Sequence, residues 1–332
     1  MRTHIANYLV TDVLYRSSRT TVYSGNRPGD AHSVVIKTLT NAYPSPKDLA
    51  RLRLEFRVAR RVKGPGVIDI LGLESWGNSL ALIEEQFAGV PLTPVPDAAG
   101  DLDRFFATAI PVTAALARVH EFVVHGDVNP SNILWDAAGR SVKLIDFGAA
   151  SEIGSEHHSL ATDGLSDSSL PYMAPERSGR VNRDLDHRTD LYSLGTTFYE
   201  LLTGRRPFEA DDRAEWIYCH VTREPTPPHE VTPGLPILLS LLVMRLMAKN
   251  PEDRYQSARG VLTDLMRCRR RCSETGRIDS FPLGHRDSDG RLRAVQRVCG
   301  REPELQALMT AFEAARAGAS RCVLVSGAPG VG

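Results

Sequence analysis

Two short polar loops constrain this chain more than any other feature: His125-Gly-Asp-Val-Asn-Pro-Ser-Asn132 and Ile145-Asp-Phe-Gly148. Between them lie two brief strand-like runs, Asn132–Trp135 and Val142–Ile145, separated by the turn Asp136-Ala-Ala-Gly139. Asp127 and Asn132 stand five residues apart on the first loop, and Asp146 begins the turn after the second run. Together they can place one basic carboxylate and two hard oxygen ligands for a divalent cation around a single point. Phosphoryl transfer has this requirement, because it needs positioned charge and little covalent help. Asp and Asn are common turn residues in any protein. It is the pair of motifs, spaced by strands, that carries the reading.

The rest of the chain supplies a two-part frame. Tyr8–Leu14, Thr20–Ser24 and Ser33–Leu39 read as strands, with a turn signal at Arg27-Pro-Gly-Asp30. A helix follows, with Leu49, Leu52, Phe56 and Ala59 at helical spacing, and it ends before Gly64-Pro-Gly66. Further strands are expected at Val67–Trp76 and Ser79–Phe87, then a proline-rich connector over residues 88–100. Beyond it the character turns helical, at Pro111–Glu121, Asp190–Leu202, Ile237–Ala248 and Ser257–Arg271. Residues 149–170 form a polar loop, and residues 273–297 read as a linker. The expected class is α+β and bilobal, with a small β-rich N-lobe holding one helix and a larger helical C-lobe.

Composition excludes several other classes. The 332 residues carry 40 Lys+Arg against 40 Asp+Glu, a formal net charge of zero, with no electrostatic footprint for nucleic acid or an anionic membrane. The apolar stretch near Ile237–Met244 stops at Arg245, far short of the roughly 20 residues that span a bilayer. Five cysteines, most of them after residue 260, suit a reducing cytosol better than a disulfide frame. No secretory signal is read in residues 1–15, so a cytoplasmic chain with no membrane insertion and no nucleic-acid partner is expected.

In order along residues 8–272, the motifs resemble the protein-kinase family of the eukaryotic-like (Hanks) Ser/Thr type. Val35-Ile-Lys37 lies where the family carries its third-strand lysine, and Glu55, 18 residues on, falls at the helical position of its ion-pair partner. Ala174-Pro-Glu176 matches the segment closing the activation region, Asp190-Leu-Tyr-Ser-Leu-Gly195 the central helix, and Asn250-Pro-Glu-Asp-Arg-Tyr255 the element whose Arg254 pairs with Glu176. The resemblance implies ATP and Mg²⁺ as cofactors and a protein as phosphoryl acceptor. It implies Lys37 on the α/β-phosphates oriented by Glu55, Asp127 as base, and Asn132 and Asp146 on the metal. Val22 would cover the adenine, and the hinge would lie within Leu82–Gly89, around Glu85, with Glu84 in the gatekeeper position. The N-lobe would span 8–87 and the C-lobe about 90–272.

Three departures stand out. The stretch Leu14-Tyr-Arg-Ser-Ser-Arg-Thr-Thr-Val-Tyr23 has no glycine where the family has its phosphate-covering loop, which implies either that the hydroxyls of Ser17, Ser18 or Thr20 substitute or that nucleotide binding is weak. Gly126 replaces the usual catalytic-loop arginine, so activity is expected without phosphorylation of Ser155, Ser159, Thr162 or Ser166. Asn129 replaces a phosphate-contacting lysine. The His-Gly-Asp-x4-Asn loop also resembles small-molecule phosphotransferases of the aminoglycoside and choline kinase type, though Ala174-Pro-Glu176, the Asp190 helix and Arg254 favour the protein-substrate branch. A non-catalytic pseudokinase or scaffold is the third reading. It draws on the missing glycines and Asn129, and the retained Lys37, Glu55, Asp127, Asn132 and Asp146 speak against it.

Residues 298–332 read as a separate, truncated unit: a helix around Glu304–Ala317, an apolar strand Cys322–Ser326, and Gly327-Ala-Pro-Gly-Val-Gly332, the opening of a P-loop in an α/β ATPase domain of the AAA type. This resembles large bacterial signalling proteins in which a Ser/Thr kinase domain precedes ATPase, sensor and histidine-kinase modules. The chain is thus expected to be a fragment, coupled to C-terminal ATPase and sensor domains that it lacks.

Overall fold

The computed structural model describes residues 4–30, 32–92, 100–136, 138, 141–152, 167–180, 185–287, 302–316, 318 and 320–324. The chain forms two units, residues 1–289 and 290–332.

The first unit begins with a six-stranded antiparallel sheet. Its strands are β1 (His4–Ile5), β2 (Tyr8–Arg16), β3 (Thr20–Asn26), β4 (Ser33–Leu39), β5 (Ile70–Trp76) and β6 (Ser79–Glu85), in the order β1-β2-β3-β4-β6-β5. Alternation along β4 and β6 divides the side chains between two faces. Val34, Ile36, Ala81 and Ile83 join Ile5 and Tyr8 in a small core on one face. On the other, Val22 pairs in register with Lys37, Lys37 with Leu82, and Val35 with Glu84.

Helix α1 (Pro46–Arg61) packs against β5 and β6. It starts where it does because Ser45 accepts the Asp48 N–H at 3.2 Å, Pro46 suits the first turn, and Arg60 and Arg61 lie at its C-terminal end. Its buried residues are Leu52, Glu55, Val58 and Ala59. A carboxylate among three apolar groups requires a partner.

The remaining elements build the helical lobe. They are β7 (Val90–Pro91), α2 (Leu102–Val119), β8 (Val123–Val124), β9 (Ile133–Asp136), β10 (Ser141–Leu144), β11 (Ser151–Glu152), α3 (His187–Thr203), α4 (Arg213–Thr222), α5 (Pro228–Val231), α6 (Ile237–Leu246) and α7 (Ala258–Thr275). Pro111 falls inside α2, not at its start; the helix begins nine residues earlier, capped by Asp101. Within the expected connector, β7 pairs with β9. Helix α3 is buried along nearly its whole length and ends at Gly204, whose φ of +70° suits glycine.

The expected linker from residue 273 begins inside α7, and the chain after that helix folds back onto it. Phe281 is buried beneath the Arg267 guanidinium, 4.0 Å from the ring centroid. Asp287 accepts from Gln256 N at 2.6 Å and from Ser257 Oγ at 2.8 Å, at the start of α7. In the second unit, α8 (Glu302–Arg316) is the described helix, close to the expected one. Residues 320–324 form no strand, and Gly327–Gly332 lie outside the described residues.

Candidate active site

Lys37 organises the N-lobe side of the site. Its Nζ lies 2.7 Å from Glu55 Oε1 on α1 and 2.9 Å from Asp146 Oδ1 on the second loop. Burial works against the lysine's charge, but Asp146, Glu55 and Glu84 outweigh it and hold its pKa above the ordinary lysine value. Burial pushes Asp146 up, and the Lys37 ammonium and the Gly148 N–H reverse this, holding it below the usual carboxylate range. Glu55 goes the other way, pushed up by burial and by Asp146, which competes for the same ammonium. Glu84, 8% exposed on the same face of the sheet, is pushed up to about 8, first by burial and then by its acidic neighbours. Arg51, one turn before Glu55, donates to the Gly148 carbonyl at 2.6 Å and ties α1 to the second loop. Sequence reasoning missed Arg51; its place four residues before Glu55 on the same helix was the available signal.

The C-lobe side hangs from Asp190, fully buried on α3. Its Oδ2 accepts the His125 N–H at 2.7 Å and faces His120 Nε2 at 2.9 Å, and its Oδ1 accepts the Gly126 N–H at 2.7 Å. His125 reaches across to the Ile145 carbonyl at 3.1 Å and lies against the Phe147 ring, so the two loops are joined directly. Asp127 receives two amides: Asn129 donates to Oδ1 at 2.9 Å and Asn132 to Oδ2 at 3.1 Å. Asn129 also accepts the Ser131 N–H, closing the loop on itself.

The strand pair brings Asn132 beside Asp146. Ile133 pairs in register with Leu144, and Ile145 N donates to the Asn132 carbonyl at 3.0 Å, so residues 132 and 145 sit opposite one another. Asp146 adopts φ +62°, a left-handed backbone that is strained for a non-glycine residue, and its carboxylate accepts the Gly148 N–H. The Asn132 amide nitrogen is committed to Asp127, which leaves Oδ1 as the atom that could meet a cation. The Asp146 carboxylate is held ionised and its side chain is 41% exposed. Two hard oxygen donors of this kind suit Mg²⁺.

Other expected residues lie apart from this cluster. Glu85 leaves β6 on the face opposite Lys37. Its N–H donates to the Asp69 carbonyl at 2.9 Å, and its carboxylate accepts the Asp69 N–H at 2.7 Å and pairs with Lys143 on β10. Its own N–H is therefore taken, which leaves its carbonyl as the backbone group that could meet a purine edge. In the glycine-free turn between β2 and β3, Ser17 Oγ accepts from Thr20 N at 3.0 Å and Arg19 N at 3.3 Å, so these groups hold the turn itself. Ser155, Ser159, Thr162 and Ser166 lie outside the described residues. Glu176 and Arg254 form a bidentate pair at 2.7 and 2.9 Å.

A charged lysine held between Glu55 and Asp146, facing a loop on which Asn132 donates to Asp127, defines a kinase-like phosphotransferase scaffold. The family model described as "Protein kinase domain" matches residues 14–265, and the chain belongs to that family. The serine/threonine-protein kinase Pkn1 of Myxococcus xanthus is 32% identical over 252 residues, 74% of this chain and 36% of Pkn1. The hybrid signal transduction histidine kinase G of Dictyostelium discoideum is 34% identical over 188 residues, 51% of this chain but 6% of that protein. The chain thus spans a small part to about half of the curated relatives it matches. The crystal structure of a double mutant of the PknI kinase domain of Mycobacterium tuberculosis superposes with a TM-score of 0.62 at 25% identity, covering 80% of this chain and 96% of that one. These relatives favour the protein-kinase branch over small-molecule phosphotransferases.

Proposed function

We propose that residues 14–265 act as an ATP-dependent serine/threonine protein kinase in bacterial signal transduction, moving the γ-phosphoryl group to a protein hydroxyl. The supporting observation is the Lys37 ammonium, fixed between Glu55 and Asp146 and held charged by both. In that position it would grip the α/β-phosphates, with Glu55 setting its direction and Val22 lying against the adenine. Asn132 Oδ1 and Asp146 would hold Mg²⁺, which when bound would offset charge on the β/γ-phosphates. Asp127, oriented by two amides, would accept the acceptor hydroxyl's proton. Adenine would meet backbone groups of the hinge within Leu82–Gly89, around Glu85.

The chain is further read as cytoplasmic and as coupled to ATPase and sensor modules outside it. The free thiols of Cys219, Cys268, Cys272 and Cys322 support the first, and the named histidine-kinase relative supports the second. Among the described residues no helix is long and apolar enough to cross a membrane.

The test is γ-phosphate transfer to generic protein acceptors and to a panel of small alcohols, comparing the whole chain with Asp127→Ala and Lys37→Met. Protein labelling that falls at least about a hundredfold in both variants is expected, since each loses a charge aimed at the transition state. Labelling of small alcohols alone, or nucleotide binding without transfer, overturns the proposal.

A further inference from the structure

Gly126 leaves a side-chain position vacant in the middle of the catalytic loop, at φ +81°. The space is filled from another segment. A Cβ built at Gly126 would lie 2.8 Å from Nη1 of Arg177 and closer still to the Ala149 carbonyl. That Arg177 nitrogen donates to the Gly126 carbonyl. From the other side, Asp190 Oδ1 holds the Gly126 N–H at 2.7 Å. The Gly126 carbonyl and the Asp127 N–H belong to one planar peptide unit, and that N–H is donated in turn to His125 Nδ1 at 3.3 Å. The group that holds this carbonyl therefore sets the plane from which the Asp127 side chain leaves.

Arg177 stays there at a cost to folding. It is 6% exposed, and its Nε is buried with no hydrogen-bond partner. Burial pulls its pKa below the ordinary arginine value, and the carboxylates of Asp127 and Asp190 pull it back. A buried cation with an incomplete set of bonds contributes less to folding than an apolar side chain of the same volume would. Its backbone, by contrast, is anchored firmly. Arg177 N donates to the Ala174 carbonyl at 3.0 Å, and the preceding Glu176 is clamped by Arg254.

We infer that Arg177 is a positioning residue for phosphoryl transfer: its guanidinium reaches in from the segment after Ala174-Pro-Glu176, occupies the space beside Gly126 and fixes the Gly126–Asp127 peptide. The inference rests on Asp127 being the base. The loop carries no cation of its own at 126, and the cation it uses comes from a segment anchored to the C-lobe core.

The test compares Arg177→Gln and Arg177→Lys in the whole chain, with Asp127→Ala as control and melting curves beside each assay. Arg177→Gln is expected to lower kcat at least tenfold while the KM for ATP stays within twofold. Arg177→Lys, which keeps the charge, is expected to retain at least a third of the wild-type kcat. A second arm assays Arg177→Ala with millimolar guanidinium ion, which should restore kcat at least fivefold by entering the vacated space. A Gln variant within threefold of wild type, a Lys variant as slow as the Gln variant, or no rescue by guanidinium overturns the inference. An inactive wild-type chain would instead overturn the proposed function, so the two failures are distinguishable.

Discussion

Asn129 donates its amide N–H to Oδ1 of Asp127 at 2.9 Å, from the loop position where Ser/Thr protein kinases usually carry a lysine. The substitution thus replaces a cation that would reach outward with a neutral donor that turns inward. Asn129 also caps the short turn Pro130–Asn132 by accepting Ser131 N at 2.9 Å. Removing it frees one oxygen of the Asp127 carboxylate and loosens the turn that carries Asn132.

Asn129→Ala is therefore expected to slow transfer without weakening nucleotide binding. A hydrogen bond to a charged group is worth roughly 1.5 kcal/mol or more, about tenfold in rate. The check is steady-state kinetics with ATP varied: kcat down about tenfold, KM for ATP within twofold. A rise in KM at unchanged kcat would instead assign Asn129 to nucleotide binding.

Glu84 makes stability depend on pH. Its folded pKa is raised from 4.5 to about 8, by burial first, then by Glu55, Asp146 and Glu85, with Lys37 opposing. Between those values the folded state holds a proton that the unfolded state has released, so stability falls as pH rises from about 4.5 to 8. Glu84→Gln removes that dependence. Relative to wild type, the variant should gain little near pH 5 and at least about 1.4 kcal/mol near pH 8.5, or about 3 °C or more in Tm for a domain of this size. Melting curves at pH 5, 7 and 8.5 decide it, and a Tm difference that does not vary with pH is the contrary result.

Arg254, 0% exposed, donates to Glu176 through two nitrogens and also to the carbonyls of Ala248, Arg188 and Lys249. Every donor is used, so the pair holds the lobe together and does no chemistry. Arg254→Leu strands the Glu176 carboxylate and three carbonyls in the core. The expected loss is about 3–5 kcal/mol, seen as a lower urea midpoint at an unchanged m-value.

The residues that read clearly in the sequence are those whose roles follow from short spacings. Lys37 and Glu55 were identified by position and meet at 2.7 Å, and Asn132 and Asp146 flank a hairpin visible as two apolar runs. Arg177 was illegible because its meaning depends on Gly126, 51 residues earlier, and only the folded chain brings the two together. That the Glu85 N–H is spent on Asp69 could not be read from sequence order, because only the fold brings residue 69 beside β6. The two residues of β7 were too few for periodicity to register, and α4 went unread although Asp212 caps its start by accepting the Glu215 N–H at 2.8 Å. Residues 276–287 read as a linker because polarity dominates there, and the single buried aromatic Phe281 was outweighed.

That stretch sets the domain's working boundary. Phe281 lies between Arg267 and Arg271, with guanidinium carbons 4.0 and 5.3 Å from its ring centroid. Arg245 donates to the Leu283 carbonyl at 2.5 Å, and Gly284 N to Asp264 Oδ2 at 2.7 Å. Asp287 then caps the entry to α7 through Gln256 N and Ser257 Oγ. A chain ended after Thr275 loses all of these at once, whereas one ended after Asp289 keeps them. Burial of one aromatic ring and loss of a capping carboxylate together are worth about 3 kcal/mol or more. The shorter chain should therefore melt about 6 °C or more below the longer one, and Phe281→Ala in the longer chain should reproduce at least half of that drop. Equal melting temperatures for the two lengths would mean that the wrapped segment lies on the lobe without supporting it.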